Sequence, residues 1–187
     1  MASSDLIRWG GLATMGGGVL FLLYSLLGVA TGRGDESSPL DLLAILGYVL
    51  LIVGLVGFHA LQQRNYGRIG RAGLYTTIAA FLLWEVLLLA GLLGGGEALP
   101  EWLVTVGVLG TLVGEVLYGA ATLQARVLPR WCGILFIILM PGTILFSFLS
   151  GDFSSIWVGL VWIALGYGLW SIRGAAAGQP TRVRRRV

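Results

Sequence analysis

The chain has 187 residues, of which 57% are hydrophobic and only 11% charged, with 30 glycines and a formal net charge of +3. A soluble domain carries about 25% charged residues, so this chain cannot cover itself with a water-facing surface. Disorder requires the opposite balance of charge and hydrophobicity and is excluded with it.

Six stretches are long and apolar enough to cross a hydrocarbon core of about 30 Å, which takes about 20 helical residues. They run over 9–31, 42–63, 72–96, 102–125, 131–151 and 153–172. Lipid offers the backbone no partners, and runs of this length are too continuous for barrel strands, so helices are expected. Gly28-Val29-Ala30 in the first stretch loosely fits a signal-peptidase site. The apolar run before it exceeds a signal h-region of about 7–15 residues, so the first stretch is read as a retained helix. The fold class expected is an all-α polytopic bundle of six helices in one domain, 1–173, followed by a basic, flexible tail, 174–187.

All twelve basic residues are arginine. Eleven fall on one side of this topology: Arg8, Arg64, Arg68, Arg71, Arg126, Arg130, Arg173, Arg182, Arg184, Arg185 and Arg186. Arg33 alone falls on the other side, with Asp35, Glu36, Asp41, Glu97, Glu101 and Asp152. Basic loops stay cytoplasmic during insertion, so both termini are expected inside. The arginine tail is expected at anionic lipid head groups and not on nucleic acid. Trp9, Trp102, Trp131, Trp157 and Trp170 suit the aromatic belts of the two interfaces, and Trp84 and Trp162 suit the core.

The segment borders repeat. Arg8-Trp9-Gly10-Gly11, Arg68-Ile69-Gly70-Arg71 and Arg130-Trp131-Cys132-Gly133 open the odd segments. Gly57 with Arg64, Gly119 with Arg126 and Gly166 with Arg173 close the even ones. Three repeated helical hairpins, or merely a shared membrane grammar, would produce this pattern. Small residues permit close helix approach in lipid. Gly110 with Gly114, Gly47 with Gly54, and Gly159 with Gly166 are therefore packing strips, serving a compact bundle or an oligomer. Pro141-Gly142 in the fifth segment predicts a kink, either static or a hinge.

Several chemistries are excluded. Without lysine there is no Schiff base, and a single cysteine, Cys132, allows no internal disulfide. A single histidine, His59, cannot build a metal site with other histidines. No cofactor and no metal is expected.

Two acids lie at membrane depth, where ionisable groups are costly and usually functional. Glu115 shares a helix face with Thr111, Tyr118 and Thr122. Glu85 lies on the antiparallel neighbour, about 21 Å from the arginine rim against about 17 Å for Glu115. The two carboxyls are therefore within reach of each other. One use is a hydrogen-bonded staple, and the other is a shared proton in a carrier or binding site. His59, about 8 Å from the same rim, is read as an interfacial hydrogen-bonding residue or a proton relay sharing a face with Tyr48. Tyr24 is a further polar partner.

The run from Gly119 to Gly133 (GAATLQARVLPRWCG), together with Arg8-Trp9-Gly10-Gly11-Leu12, resembles a broad group of uncharacterised bacterial multi-pass membrane proteins common in GC-rich genomes. The resemblance implies a bacterial plasma-membrane protein and brings no activity or site residues. The function expected is a non-enzymatic accessory or scaffold component, associating with itself or a membrane partner. The alternative is a small proton-linked carrier or lipophile-binding protein using Glu85 and Glu115.

Overall fold

The computed structural model describes the backbone of residues 2–31, 38–94, 100–150 and 154–177, and their side chains except at 2–4, 150 and 172–177. Expectations that fall on Arg33, Asp35, Glu36, Glu97, Asp152, the Arg173 side chain and the arginines beyond residue 177 lie outside the described residues. Six helices form among the described residues: α1 (Ala2–Ala30), α2 (Asp41–Gln62), α3 (Gly67–Leu92), α4 (Glu101–Ala125), α5 (Arg130–Ser150) and α6 (Ser154–Ala177). All six are long and apolar enough to span a membrane, and the protein is a multi-pass membrane protein.

The helix borders differ from expectation at several places: α1 begins at Ala2, seven residues before the expected border at 9, and α3 ends at Leu92, four before 96. Helix α3 begins at Gly67, five residues before the expected border at 72, and so takes in Arg68 and Arg71. Helix α6 runs on to Ala177, so 174–177 belong to a helix and not to the flexible tail. Alanine is the strongest helix former, and Ala175, Ala176 and Ala177 carry the helix past Gly174.

Each helix packs antiparallel on its chain neighbours, and α6 returns to α1, closing a ring. Glycine sets the closest approaches. A Cβ on Gly10 would lie 2.7 Å from the Gly57 Cα, and one on Gly17 would lie 2.9 Å from the Gly47 carbonyl oxygen. On the opposite flank of α1, a Cβ on Gly18 would lie 2.6 Å from the Gly159 carbonyl oxygen, and Gly11 faces Gly166. Helix α1 thus carries two glycine strips one residue apart, one for α2 and one for α6. In α3 and α4, Gly73 meets the backbone of Tyr118, and Gly114 meets that of Thr77. Gly119 meets Gly133 between α4 and α5.

The seams are unequal. Among ring neighbours, contact is most extensive where α1 meets α6 and α2, and where α3 meets α4; it is least between α2 and α3, then between α5 and α6. The repeated borders give a reason. Gly119 with Gly133 and Gly166 with Gly11 close two junctions between successive hairpins, glycine to glycine. At the corresponding α2/α3 junction the residue is Arg71, exposed at the surface. A guanidinium stem cannot occupy a backbone contact, so this junction stays loose. Helices α5 and α6 meet instead through side chains: Gly168 against Cys132, and Gly142 against the Trp157 indole.

The antiparallel order brings Arg8, Arg64, Arg68, Arg71, Arg126 and Arg130, all exposed, to one end of the ring. Trp9, Trp102, Trp131 and Trp170 are exposed as interfacial aromatics require. Trp157 is not one of them: it is part-buried, stacks on Phe146 and donates its indole N–H to the Leu139 carbonyl at 3.0 Å. Helix α5 continues through Pro141, and its surface changes there. Before Pro141 it is buried at Cys132, Gly133, Phe136 and Leu139; from Pro141 to Leu149 no residue is buried.

Candidate functional site

The six helices enclose a cavity of about 390 Å³ to which every one of them contributes. The lining residues run from mid-helix, at Leu51, Glu115 and Leu139, toward the ends remote from the arginines. Helix α2 gives Tyr48 and Leu51, α3 gives Phe81 and Trp84, and α4 gives Val108, Thr111 and Glu115. Helix α1 gives Phe21. Helix α5 gives Leu139 to Phe148 at helical spacing, and α6 gives Ser154, Ser155, Val158 and Trp162. The mouth lies at the end opposite the arginines, where Ser147 and Phe148 are exposed and Ser154 and Ser155 half-buried. The unburied half of α5 is its outer wall.

Glu115 is placed here by its stripe. Thr111, Glu115, Tyr118 and Thr122 follow at four, three and four residues, and all four are buried toward the ring interior. Glu115 is 2% exposed, and its Oε2 has no hydrogen-bond partner. Thr111 is less available. Its hydroxyl donates to the Gly107 carbonyl at 2.8 Å and accepts from the Trp84 indole N–H at 3.3 Å. The Tyr48 ring stands in the wall, with Glu115, Tyr24 and Glu85 all within electrostatic range of its hydroxyl.

The other expected site residues lie elsewhere. Glu85 is buried, with Oε1 unpartnered, but its carboxyl lies against the Val49 backbone of α2 and does not line the cavity. Sequence depth alone had brought the two acids within reach. The rotation of α3 turns Glu85 to the loose α2/α3 seam, with both acids in electrostatic range of the Tyr48 hydroxyl. Tyr118 and Thr122 lie nearer the arginine end than the cavity does. The Thr122 hydroxyl donates back to the Tyr118 carbonyl at 2.9 Å, whereas the Tyr118 hydroxyl has no partner. His59 Nδ1 pairs with the Tyr66 hydroxyl in the α2/α3 turn, away from Tyr48. Burial, with the Tyr75 phenol nearby, pushes the Tyr66 phenol up to about 12, so it remains a hydroxyl at neutral pH. Tyr24 donates to Asp41 Oδ1 at 3.4 Å, and Asp41 is 3% exposed despite its place at the start of α2. The sequence placed that acid in a loop, and its proximity to Tyr24 carried no local signal.

An aromatic plug seals the cavity on the arginine side. The Phe136 ring is met edge-on by Tyr118 at 5.2 Å, Phe58 at 5.4 Å and Trp162 at 5.6 Å between centroids. Trp162 meets Phe81 at 6.0 Å, and Phe81 meets Tyr48 at 5.2 Å. Edge-to-face aromatic pairs gain about 0.5–1.5 kcal/mol each beyond area burial.

Comparison with protein-family profiles, with curated proteins and with solved structures gives no match. The cavity's volume lies within the usual range for small-molecule sites, about 300–1,000 Å³, and its walls are mostly apolar with a few polar groups at floor and mouth.

Proposed function

We propose that this protein is a non-catalytic membrane binder of a small amphiphile, whose cationic or hydrogen-bond-donating end is taken by Glu115. The observation that carries this reading is a carboxyl, 2% exposed and with one oxygen unpartnered, on a residue in the wall of a cavity. A buried acid without a partner is costly, and a donor entering the cavity would supply the missing bond. Apolar walls suit a hydrocarbon tail, and the serines at the mouth suit a polar edge. An accessory or scaffold role needs neither a cavity nor an unpartnered acid, so the cavity favours the lipophile-binding alternative.

The arginine excess at one end supports a bacterial plasma-membrane orientation with that end cytoplasmic. The cavity then opens to the outside. Arg64, Arg68, Arg71, Arg126 and Arg130, all exposed, would meet anionic head groups on the inner leaflet.

Fluorescence transfer tests the binding reading, since Trp84 and Trp162 both line the cavity. The probe is a dansylated aliphatic amine, titrated into the purified protein in detergent micelles. Transfer from tryptophan should saturate. Glu115→Gln should weaken binding by about tenfold or more, the value of one charge-assisted hydrogen bond. Glu85→Gln should leave it unchanged. Equal binding by wild type and Glu115→Gln would remove the proposal.

A further inference from the structure

The ring divides into two blocks. Backbone-to-backbone glycine contacts join α6, α1 and α2 into one three-helix unit, and α3, α4 and α5 into the other. The two meet at the α2/α3 and α5/α6 seams, where contact is least. The cavity lies between them, with Tyr48 and Trp162 on one side and Glu115 on the other. The plug lies between them as well: Phe58 and Trp162 of the first block close on Phe136 of the second.

Beyond the plug, the cytoplasmic half carries an anomaly. Gln62 is 0% exposed, and neither its Oε1 nor its Nε2 has a partner. It ends the interior stripe Leu51, Leu55, Phe58 and Gln62 on α2. The Tyr118 hydroxyl, on the interior stripe of α4, is also unpartnered at 1% exposure. Buried polar groups in folded proteins are paired in the great majority of cases. Two blocks thus face each other at their cytoplasmic ends with polar groups whose partners are missing while those ends are shut. Water, or the polar end of a ligand, would satisfy them once the blocks part. The Tyr66–His59 pair lies in the α2/α3 turn at that end.

We propose that the chain is a carrier whose two blocks rock about the α2/α3 and α5/α6 seams, closing the outer cavity and opening a cytoplasmic one at Gln62 and Tyr118. The cargo is the amphiphile of the binding reading, on which this proposal rests. Packed interfaces switch between discrete arrangements, and bundle-against-bundle rocking is a known form of alternating access. The structure described here is the outward-open arrangement.

Cysteine accessibility in oriented membrane vesicles tests this without knowledge of the cargo. The native Cys132, fully buried in the α5/α6 seam, is first replaced in a Cys132→Ser background, so that only the introduced thiols report. The probe is a membrane-impermeant cationic methanethiosulfonate. Ser155→Cys should react from the outer face only. Gln62→Cys should react from the cytoplasmic face only, and so should Thr122→Cys, a smaller change at a residue 2% exposed. In the double variant Ser155→Cys/Thr122→Cys, a bulky maleimide on the outer cysteine should hold the mouth open. Cytoplasmic labelling should then fall by about tenfold, as expected of two states in equilibrium. If Gln62→Cys and Thr122→Cys stay unreactive while Ser155→Cys reacts, the cavity binds without transport and the carrier proposal fails. Labelling of Thr122→Cys that ignores the maleimide would mean local fraying, and would overturn it too. If Ser155→Cys is also unreactive from outside, the binding reading fails with it.

Discussion

At the scale of single residues, position on a helix face decided more than depth. Glu85 and Glu115 lie within one turn of each other in height, yet only Glu115 reaches the cavity. The stripe through Thr111 and Tyr118 marks the interior face of α4 and with it Glu115. Trp84 was read as core packing, and its indole bond to Thr111 shows it shaping the site. Tyr66 makes a prediction of its own. Its raised phenol contributes stability that is fully present below the ordinary value of 10 and lost as pH rises through about 12. In Tyr66→Phe, the fall of unfolding free energy with pH over that window should be shallower, as followed by denaturant titration at a series of alkaline pH values.

At the scale of elements, glycine determines which helices touch. A methyl on Gly18 meets the Gly159 carbonyl at 2.6 Å, and backbone cannot yield as a side-chain tip can. Gly18→Ala should therefore cost about 1–3 kcal/mol, the usual penalty of overpacking. Gly28, on the same helix, has nothing within 4 Å. Gly28→Ala should be neutral or stabilising by about 0.5–1 kcal/mol, because a helical glycine gives up more backbone freedom than alanine. Thermal melting in detergent, read by loss of the monodisperse gel-filtration peak, separates the two. Arg126 closes α4 at φ 51°, the left-handed conformation that usually takes glycine. Arg126→Gly should keep the fold and raise the melting temperature.

At the scale of the whole molecule, closure of the ring creates the cavity, and the uneven seams divide the ring into blocks. The topology is testable by itself. Asn65→Cys should be modified only from the cytoplasm and Pro39→Cys only from outside, with an impermeant reagent on intact cells. Modification of both from one face would remove the orientation and the outward-opening reading together.

The sequence by itself determined the six spans, the sorting of arginines to one end, the glycine strips and the interior stripe that carries Glu115. These follow from local quantities: hydrophobic length against bilayer thickness, loop charge, and a helical period of 3.6 residues. Tertiary structure decided which faces meet. It turned Glu85 to the α2/α3 seam, paired His59 with Tyr66, buried Asp41, and set Trp157 on Leu139 and Phe146. Periodicity gives a side chain's angle about its own axis. The rotation of one helix against the next is set by contacts such as Gly18 with Gly159, between residues 141 positions apart in the chain. A cavity lined by all six helices has no local sequence signal, because it exists only where their surfaces fail to fill the space between them.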